Sequence, residues 1–192
     1  NEGVEYIELR SIDNNIFLNA GIDEDQMYFI ELLIIHSLFI NENKISSKEY
    51  FEIKNNLTNV AHNGRDQNFK LKINNKDVLI TDVIKKIFQE LKEIANMMHL
   101  ITNDAKYKKS IEVQEEKVAN QSLLPSNRVI NSMIDNKMSF YEFCMDNIWK
   151  QKKYFSNIQV DNSIEKILTE ETKLSLEKKD CLENNNLESF ED

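Results

Sequence analysis

The stretch T-D-V-I-K-K-I-F-Q-E-L-K-E-I-A-N-M-M, residues 81–98, decides the fold class of this chain. Large apolar residues return there every three or four positions, which is the period of one face of an α-helix. The face consists of Ile84, Ile87, Phe88, Leu91, Ile94 and Met98. We therefore predict a long amphipathic helix that begins near Thr81 and buries this face.

Two further helices are predicted upstream of this stretch. Asp23 with Gln26, and Ser46 with Glu49, have the spacing of a capping box, in which a side chain accepts a backbone N–H at the helix start. The first helix extends to about residue 40 and the second to about Ala61. The predicted buried stripe of the first helix consists of Met27, Ile30, Leu33, Ile34 and Leu38, broadened by Phe29 and Ile40.

Downstream, the pattern predicts a helix over residues 105–120 and a break at Pro125, the single proline of the chain. Ser126 can cap a short helix that ends near residue 135. Ser139 with Glu142 repeats the capping-box spacing and opens a further helix.

Strand signals are few. Residues 4–11, V-E-Y-I-E-L-R-S, alternate with a period of two, as a strand does. Residues 69–73 and 78–80 flank the turn-forming pair Asn74-Asn75 and predict a short hairpin. Because a strand needs partners, we expect the remaining sheet of the N-terminal strand to lie in sequence upstream of this segment.

The chain divides near residue 160 by apolar content. Residues 1–160 are predicted to form the strand-and-helix part of one domain. Residues 161–192 are predicted to hold one amphipathic helix, with Ile164, Ile167 and Leu168, followed by an acidic, disordered tail from Cys181.

Composition excludes several classes of protein. The net charge of −9 disfavours nucleic-acid binding, which usually requires a basic face. No apolar run approaches the roughly 18–20 residues of a membrane span, and no secretory signal is visible. Two widely separated cysteines, Cys144 and Cys181, argue against a disulfide framework or structural zinc site and favour a reducing cytoplasm.

Glu8 and Arg10 are the residue pair most suited to chemistry. Residues i and i+2 of a strand point to the same side, so a carboxylate and a guanidinium project together from a segment whose other face is apolar. The carboxylate can ligate Mg²⁺, and the guanidinium can bind a phosphoryl oxygen with two hydrogen bonds. A surface ion pair is the alternative that spacing alone leaves open.

Other chemical candidates are weaker. His36, His62 and His99 share no metal-ligand spacing, and Cys144 lies between apolar residues of a predicted helix. Asn63-Gly64-Arg65 can meet a phosphate, although a surface turn explains it as well. With three glycines, the chain contains neither of the common glycine-rich phosphate-binding loops.

The blocks E-Y-I-E-L-R-S-I-D (residues 5–13), Phe17 and G-I-D-E-D-Q (residues 21–26) resemble the C-terminal portion of the proteobacterial-type glutamate–cysteine ligases. The similarity returns at N-G-R (residues 63–65) and S-M-I-D (residues 132–135). The first two blocks are specific, and the later ones support them by their order. The chain departs from the family at Ile16 and Asn19, where proline is common, which affects the rigidity of the loop more than its chemistry.

The resemblance implies an α+β fold like that of glutamine synthetase, with an antiparallel sheet curled into a funnel. It implies that ATP phosphorylates the γ-carboxylate of L-glutamate and that the amine of L-cysteine attacks the acyl phosphate, the first step of glutathione biosynthesis. Glu8 then corresponds to a ligand of Mg²⁺ or Mn²⁺, and Arg10 to the catalytic arginine that contacts the ATP phosphoryl group. The remaining ligands and both substrate pockets would lie upstream in the same polypeptide, so this segment alone is expected to be inactive.

Two other functions remain open at this stage. The first is another carboxylate–amine ligase of the same superfamily, with a different amine acceptor. The second is a non-catalytic helical interaction domain, in which loss of Glu8 or Arg10 would change stability or binding but no reaction.

Overall fold

The structure, a computed structural model, describes residues 5–10, 12–40 and 44–185. Most of these residues are helical, with one two-stranded antiparallel sheet. The elements are α1 (Glu24–Phe39), α2 (Ser47–Asn63), β1 (Lys70–Ile73), β2 (Lys76–Leu79), α3 (Ile80–Thr102), α4 (Lys106–Ala119), a 3₁₀ turn (Gln121–Leu123), α5 (Pro125–Asn136), α6 (Phe140–Ser156) and α7 (Asn162–Asn185). None of the described helices has the length and apolarity that crossing a membrane requires.

The chain forms two compact units, residues 1–147 and residues 148–192, and α6 runs across their boundary. The predicted division near residue 160 remains a prediction. In the second unit, α7 continues through Cys181–Asn185, a segment that the sequence assigned to the tail. The last part of that predicted tail, residues 186–192, lies outside the described residues.

The core of the first unit lies where α1, α3 and α4 pack together. Leu91 of α3 and Leu32 of α1 are completely buried, and Ile111 of α4 is nearly so. The predicted face of α3 is confirmed, because Phe88, Leu91 and Ile94 are buried and the other members of the face pack against them. Burial of this face stabilises the three-helix unit, at about 25 cal/mol per Å² of apolar surface removed from water.

The predicted buried stripe of α1 is wrong at most positions, although Phe29 packs against the core as predicted. Met27 and Leu38 are exposed, whereas Leu32 is buried and Tyr28 and Ile35 pack against the core. Apolar residues lie nearly all the way round α1, so their spacing does not select a face. The contacts with α3 and α4 select it instead.

The helix ends confirm most of the predicted capping. The Asp23 carboxylate accepts the backbone N–H of Gln26 at 2.7 Å. Ser46 and Glu49 form the predicted reciprocal capping box, and α2 ends at Asn63 with Gly64 as its C-cap, two residues beyond the predicted end near Ala61. The prediction for Ser126 is wrong, because α5 begins one residue earlier, at Pro125, where proline suits the first helical turn.

The predicted hairpin is confirmed. Strands β1 and β2 pair antiparallel from Lys70 opposite Leu79 to Ile73 opposite Lys76. Between them, Asn74 and Asn75 have φ values of 52° and 61°. Two successive positive φ values match the twist of a two-residue hairpin loop, and asparagine tolerates them better than most residues.

The predicted N-terminal strand is not formed. Residues 5–10 have no strand partner among the described residues, and residues 4 and 11 lie outside that part of the chain. A strand exists through backbone hydrogen bonds to a neighbour, so alternation alone cannot produce one.

Candidate active-site segment

Glu8 and Arg10 lie side by side, as the spacing predicted. Arg10 Nε donates to Glu8 Oε1 at 2.9 Å, and Arg10 Nη2 donates to Glu8 Oε2 at 3.0 Å. This two-bond geometry is the one with which a guanidinium binds a carboxylate or a phosphate. The side chains are 56% and 82% exposed, so water screens the pair and a competing ligand can separate it.

The opposite side of this segment is apolar and uncovered. Ile7 and Leu9 are 56% and 50% exposed. Neither side chain belongs to the core cluster of α1, α3 and α4. The segment therefore presents a charged pair on one side and two large apolar residues on the other, a pattern suited to an additional packing partner.

Glu8 has the chemistry of the metal ligand that the resemblance implies. A carboxylate such as Glu8 suits Mg²⁺, which often binds proteins through one or two carboxylates together with water and substrate phosphates. Among the described residues, no group of three or more His, Cys, Asp or Glu side chains is close enough to hold a metal ion. Glu8 therefore fits part of a metal site at most, and any further ligands would come from outside the described residues.

A compact loop follows the charged segment. The N–H of Asn15 donates to the carbonyl of Gly21 at 2.8 Å, and the N–H of Gly21 donates to the carbonyl of Leu18 at 3.1 Å. Gly21 has a φ of +75°, and a Cβ there would lie 1.8 Å from Asn14 Oδ1. Glycine is favoured there by its backbone angle, and a Cβ would in addition force the Asn14 side chain to move.

Phe17 fixes this loop to the helices. Its ring meets the buried ring of Phe143 edge-on, with a centroid distance of 5.8 Å. The guanidinium carbon of Arg128 lies 4.2 Å from the centroid of the Phe17 ring. This cation–π contact ties the loop after Glu8 and Arg10 to α5. The sequence pattern singles out Phe17 but not Arg128, because an arginine in a helix gives no sign of which aromatic ring it will contact.

The other sequence candidates do not join this segment. Arg65 donates to Asn127 Oδ1 at 3.1 Å and to Ser126 Oγ, so the N-G-R turn is held at the start of α5. His36 Nε2 lies 2.7 Å from Glu90 Oε2. His62 is on exposed α2, and Cys144 is half-buried on α6.

Two polar pairs at the edges of the helical core have shifted acidities. The hydrogen bond from His36 holds the pKa of Glu90 below its ordinary value. The backbone N–H of Lys106 lowers the pKa of Asp104, and the hydrogen bond to Asp104 raises the pKa of Tyr28. These contacts connect α1 with α3, and α1 with the α3–α4 turn, so we assign them to folding.

Known glutamate–cysteine ligases are similar to this chain in the region of Glu8 and Arg10 and well beyond it. The family model described as glutamate–cysteine ligase matches residues 1–60, which contain the Glu8 and Arg10 segment and the loop after it. A glutamate–cysteine ligase of Clostridium acetobutylicum is 32% identical over 148 residues, which are 76% of this chain and 31% of that protein. One from Leptospira interrogans is 25% identical over 187 residues, 97% of this chain and 36% of that protein.

The fold is shared as well. A crystal structure of the glutamate–cysteine ligase of Francisella tularensis in complex with AMP superposes with a TM-score of 0.82 at 26% identity, covering 98% of this chain and 37% of that one. The chain thus spans about a third of the length of the relatives it matches. From its family match, its relatives and its fold, the chain belongs to the glutamate–cysteine ligase family.

Proposed function

We propose that the protein containing this chain joins the γ-carboxylate of L-glutamate to the amine of L-cysteine at the expense of ATP, the first step of glutathione biosynthesis. The observation that carries this proposal is the Glu8–Arg10 pair within the residues matched by the family model. The AMP bound to the similar Francisella tularensis protein supports the use of an ATP-type nucleotide.

In this proposal the γ-carboxylate takes the terminal phosphoryl group of ATP and ADP leaves. The cysteine amine then attacks the acyl phosphate, forms the amide and releases phosphate. Bound Mg²⁺ or Mn²⁺ would neutralise charge on the phosphoryl oxygens. Glu8 would hold the cation through a carboxylate oxygen, and Arg10 would turn its two donors from Glu8 to the transferring phosphoryl group, where charge develops.

The same proposal includes a place for residues 4–11 in a sheet. Ile7 and Leu9 are half-exposed here, and the chain spans about a third of its relatives. We propose that another part of the polypeptide pairs with this segment in an antiparallel sheet curled into a glutamine synthetase-like funnel. That part would supply the remaining metal ligands and the substrate pockets. Residues 1–160 would then be the C-terminal portion of a cytoplasmic catalytic domain, and residues 161–192 an appended helix and tail.

The test is release of ADP by the intact enzyme with glutamate and cysteine, comparing wild type with Arg10→Ala. Loss of a guanidinium aimed at developing charge should lower kcat by about 10²–10³. Arg10→Lys keeps the charge but lacks the two-donor geometry, so its kcat should lie between those of wild type and Arg10→Ala. Glu8→Gln should raise the Mg²⁺ concentration needed for half-maximal activity.

The matched control is Lys92→Met, which removes the cation of another exposed ion pair, with Glu115. It should leave turnover within about twofold of wild type, since exposed pairs contribute little. Full activity in folded Arg10→Ala would remove Arg10 from the mechanism. Release of ADP that requires an amine other than cysteine would replace the proposal with a related ligase, and no release with any amine would favour an interaction domain.

A further inference from the structure

A cleft of about 450 Å³ opens beside the packed core of the first unit, between α1, α3 and α4. This volume lies within the roughly 300–1,000 Å³ range of small-molecule sites in proteins. Its walls are largely apolar and come from Phe29, Leu33, Ile84, Ile87, Phe88 and Val118. No residue of the Glu8–Arg10 segment lines it. The cleft is therefore shaped for an apolar body of ligand size.

The α4 side of this cleft carries a hydrogen-bond donor. Lys117 lines it and donates from Nζ to Gln114 Oε1 at 3.3 Å. With its oxygen so engaged, Gln114 turns its amide nitrogen elsewhere, and Nε2 is buried with no partner among the described residues. Because Gln114 Nε2 has almost no exposed surface, a ligand in the cleft cannot reach it, and the donor at the cleft is the Lys117 ammonium.

Positive charge predominates at the cleft. Arg65 and Lys117 both line it, and their hydrogen bonds go to neutral side chains in the part of the chain that the structure describes. One carboxylate, Asp66, also lines the cleft and accepts the N–H of Asn68 at 2.9 Å. Two cations against one anion leave the lining with a net positive charge in a chain whose overall charge is −9.

We propose that this cleft binds a small amphipathic carboxylate. The carboxylate accepts a hydrogen bond from Lys117 Nζ, and the long-range field of Arg65 favours the negative charge. The aliphatic or aromatic body lies between α1 and α3, against Phe29, Phe88 and their neighbours. The proposal does not rest on the ligase reaction, because Glu8 and Arg10 do not line the cleft.

The test is isothermal titration calorimetry of the intact protein with sodium octanoate, in the absence of ATP, glutamate and cysteine. Saturable binding with one site per chain is expected. Lys117→Met keeps the side-chain length but loses the charge, and Gln114→Glu places a carboxylate against the ligand. Each should weaken octanoate binding by about 10-fold to 100-fold, as expected when a charge-assisted hydrogen bond is lost.

Lys92→Met is the matched control, because Lys92 lies on α3 but does not line the cleft. Its octanoate affinity should equal that of wild type, and 1-octanol should bind at least tenfold more weakly than octanoate. Equal binding of octanol and octanoate would overturn the carboxylate assignment. Absence of saturable binding to the folded protein would show that another segment fills the cleft, and would overturn the proposal.

Discussion

Leu91→Ala tests the three-helix core at its centre. Leu91 is completely buried, in a cluster with Leu32, Phe88 and Ile111. The substitution removes three carbons, worth about 2.5 kcal/mol by transfer from water at about 0.8 kcal/mol each. The cavity left between α1, α3 and α4 adds to this, so we expect a loss of about 3–5 kcal/mol in the free energy of unfolding. For a chain of this size, the expected fall in Tm is roughly 6–20 °C.

The assay is urea unfolding followed by far-ultraviolet circular dichroism, on the 192-residue chain. Leu100→Ala is the control, because it makes the same substitution on the same helix at a side chain that is 84% exposed. It should change the free energy of unfolding by less than about 0.5 kcal/mol. If both variants lost equal stability, the packing of α3 against α1 and α4 would be refuted.

Three further predictions concern local structure and ionisation. Ser46→Ala removes the N-cap of α2 and should lower the stability of this helix by about 0.5–2 kcal/mol. The Glu49 amide should then exchange its hydrogen faster, and unchanged exchange would contradict the capping box. Asn75→Val places a β-branched residue at a φ of 61° and should speed exchange across the hairpin, whereas Asn75→Gly should not. Asp104→Asn should return the Tyr28 pKa toward its ordinary 10.0, measured by tyrosinate absorbance. The pKa of Asp104 is lowered in the folded state, so the ionised carboxylate stabilises the fold at pH values above its ordinary pKa of 3.8. This stabilisation is lost as the pH falls through the folded-state pKa. Wild type should therefore be more stable to unfolding than Asp104→Asn at neutral pH but not in acid. A stability difference that persisted in acid would refute the role given to the Asp104 carboxylate.

Local interactions account for what the sequence predicted well. The capping box of α2 and the Asn74-Asn75 turn depend on residues within a few positions of one another, so their residue types suffice to predict them. The face of α3 was predictable because its other side is polar and only one orientation buries the apolar residues.

In the candidate site, too, local features were predictable from the sequence and contacts between distant residues were not. The side-by-side position of Glu8 and Arg10 follows from an extended backbone, and the structure shows them paired. The Arg128–Phe17 contact joins residues far apart in the chain, so no local sequence pattern predicts it. The proposed sheet partner for this segment would likewise come from distant sequence.

The sequence by itself determined the helical class, most of the helix starts, the hairpin and the charged pair at Glu8 and Arg10. Only the tertiary structure decided that α1 buries Leu32, and that Gln114 and Lys117 meet at an apolar cleft. The physical reason is that a helix apolar on nearly every side can bury any of several faces at similar cost. Its orientation is then chosen by the surfaces of α3 and α4, which a local pattern does not contain.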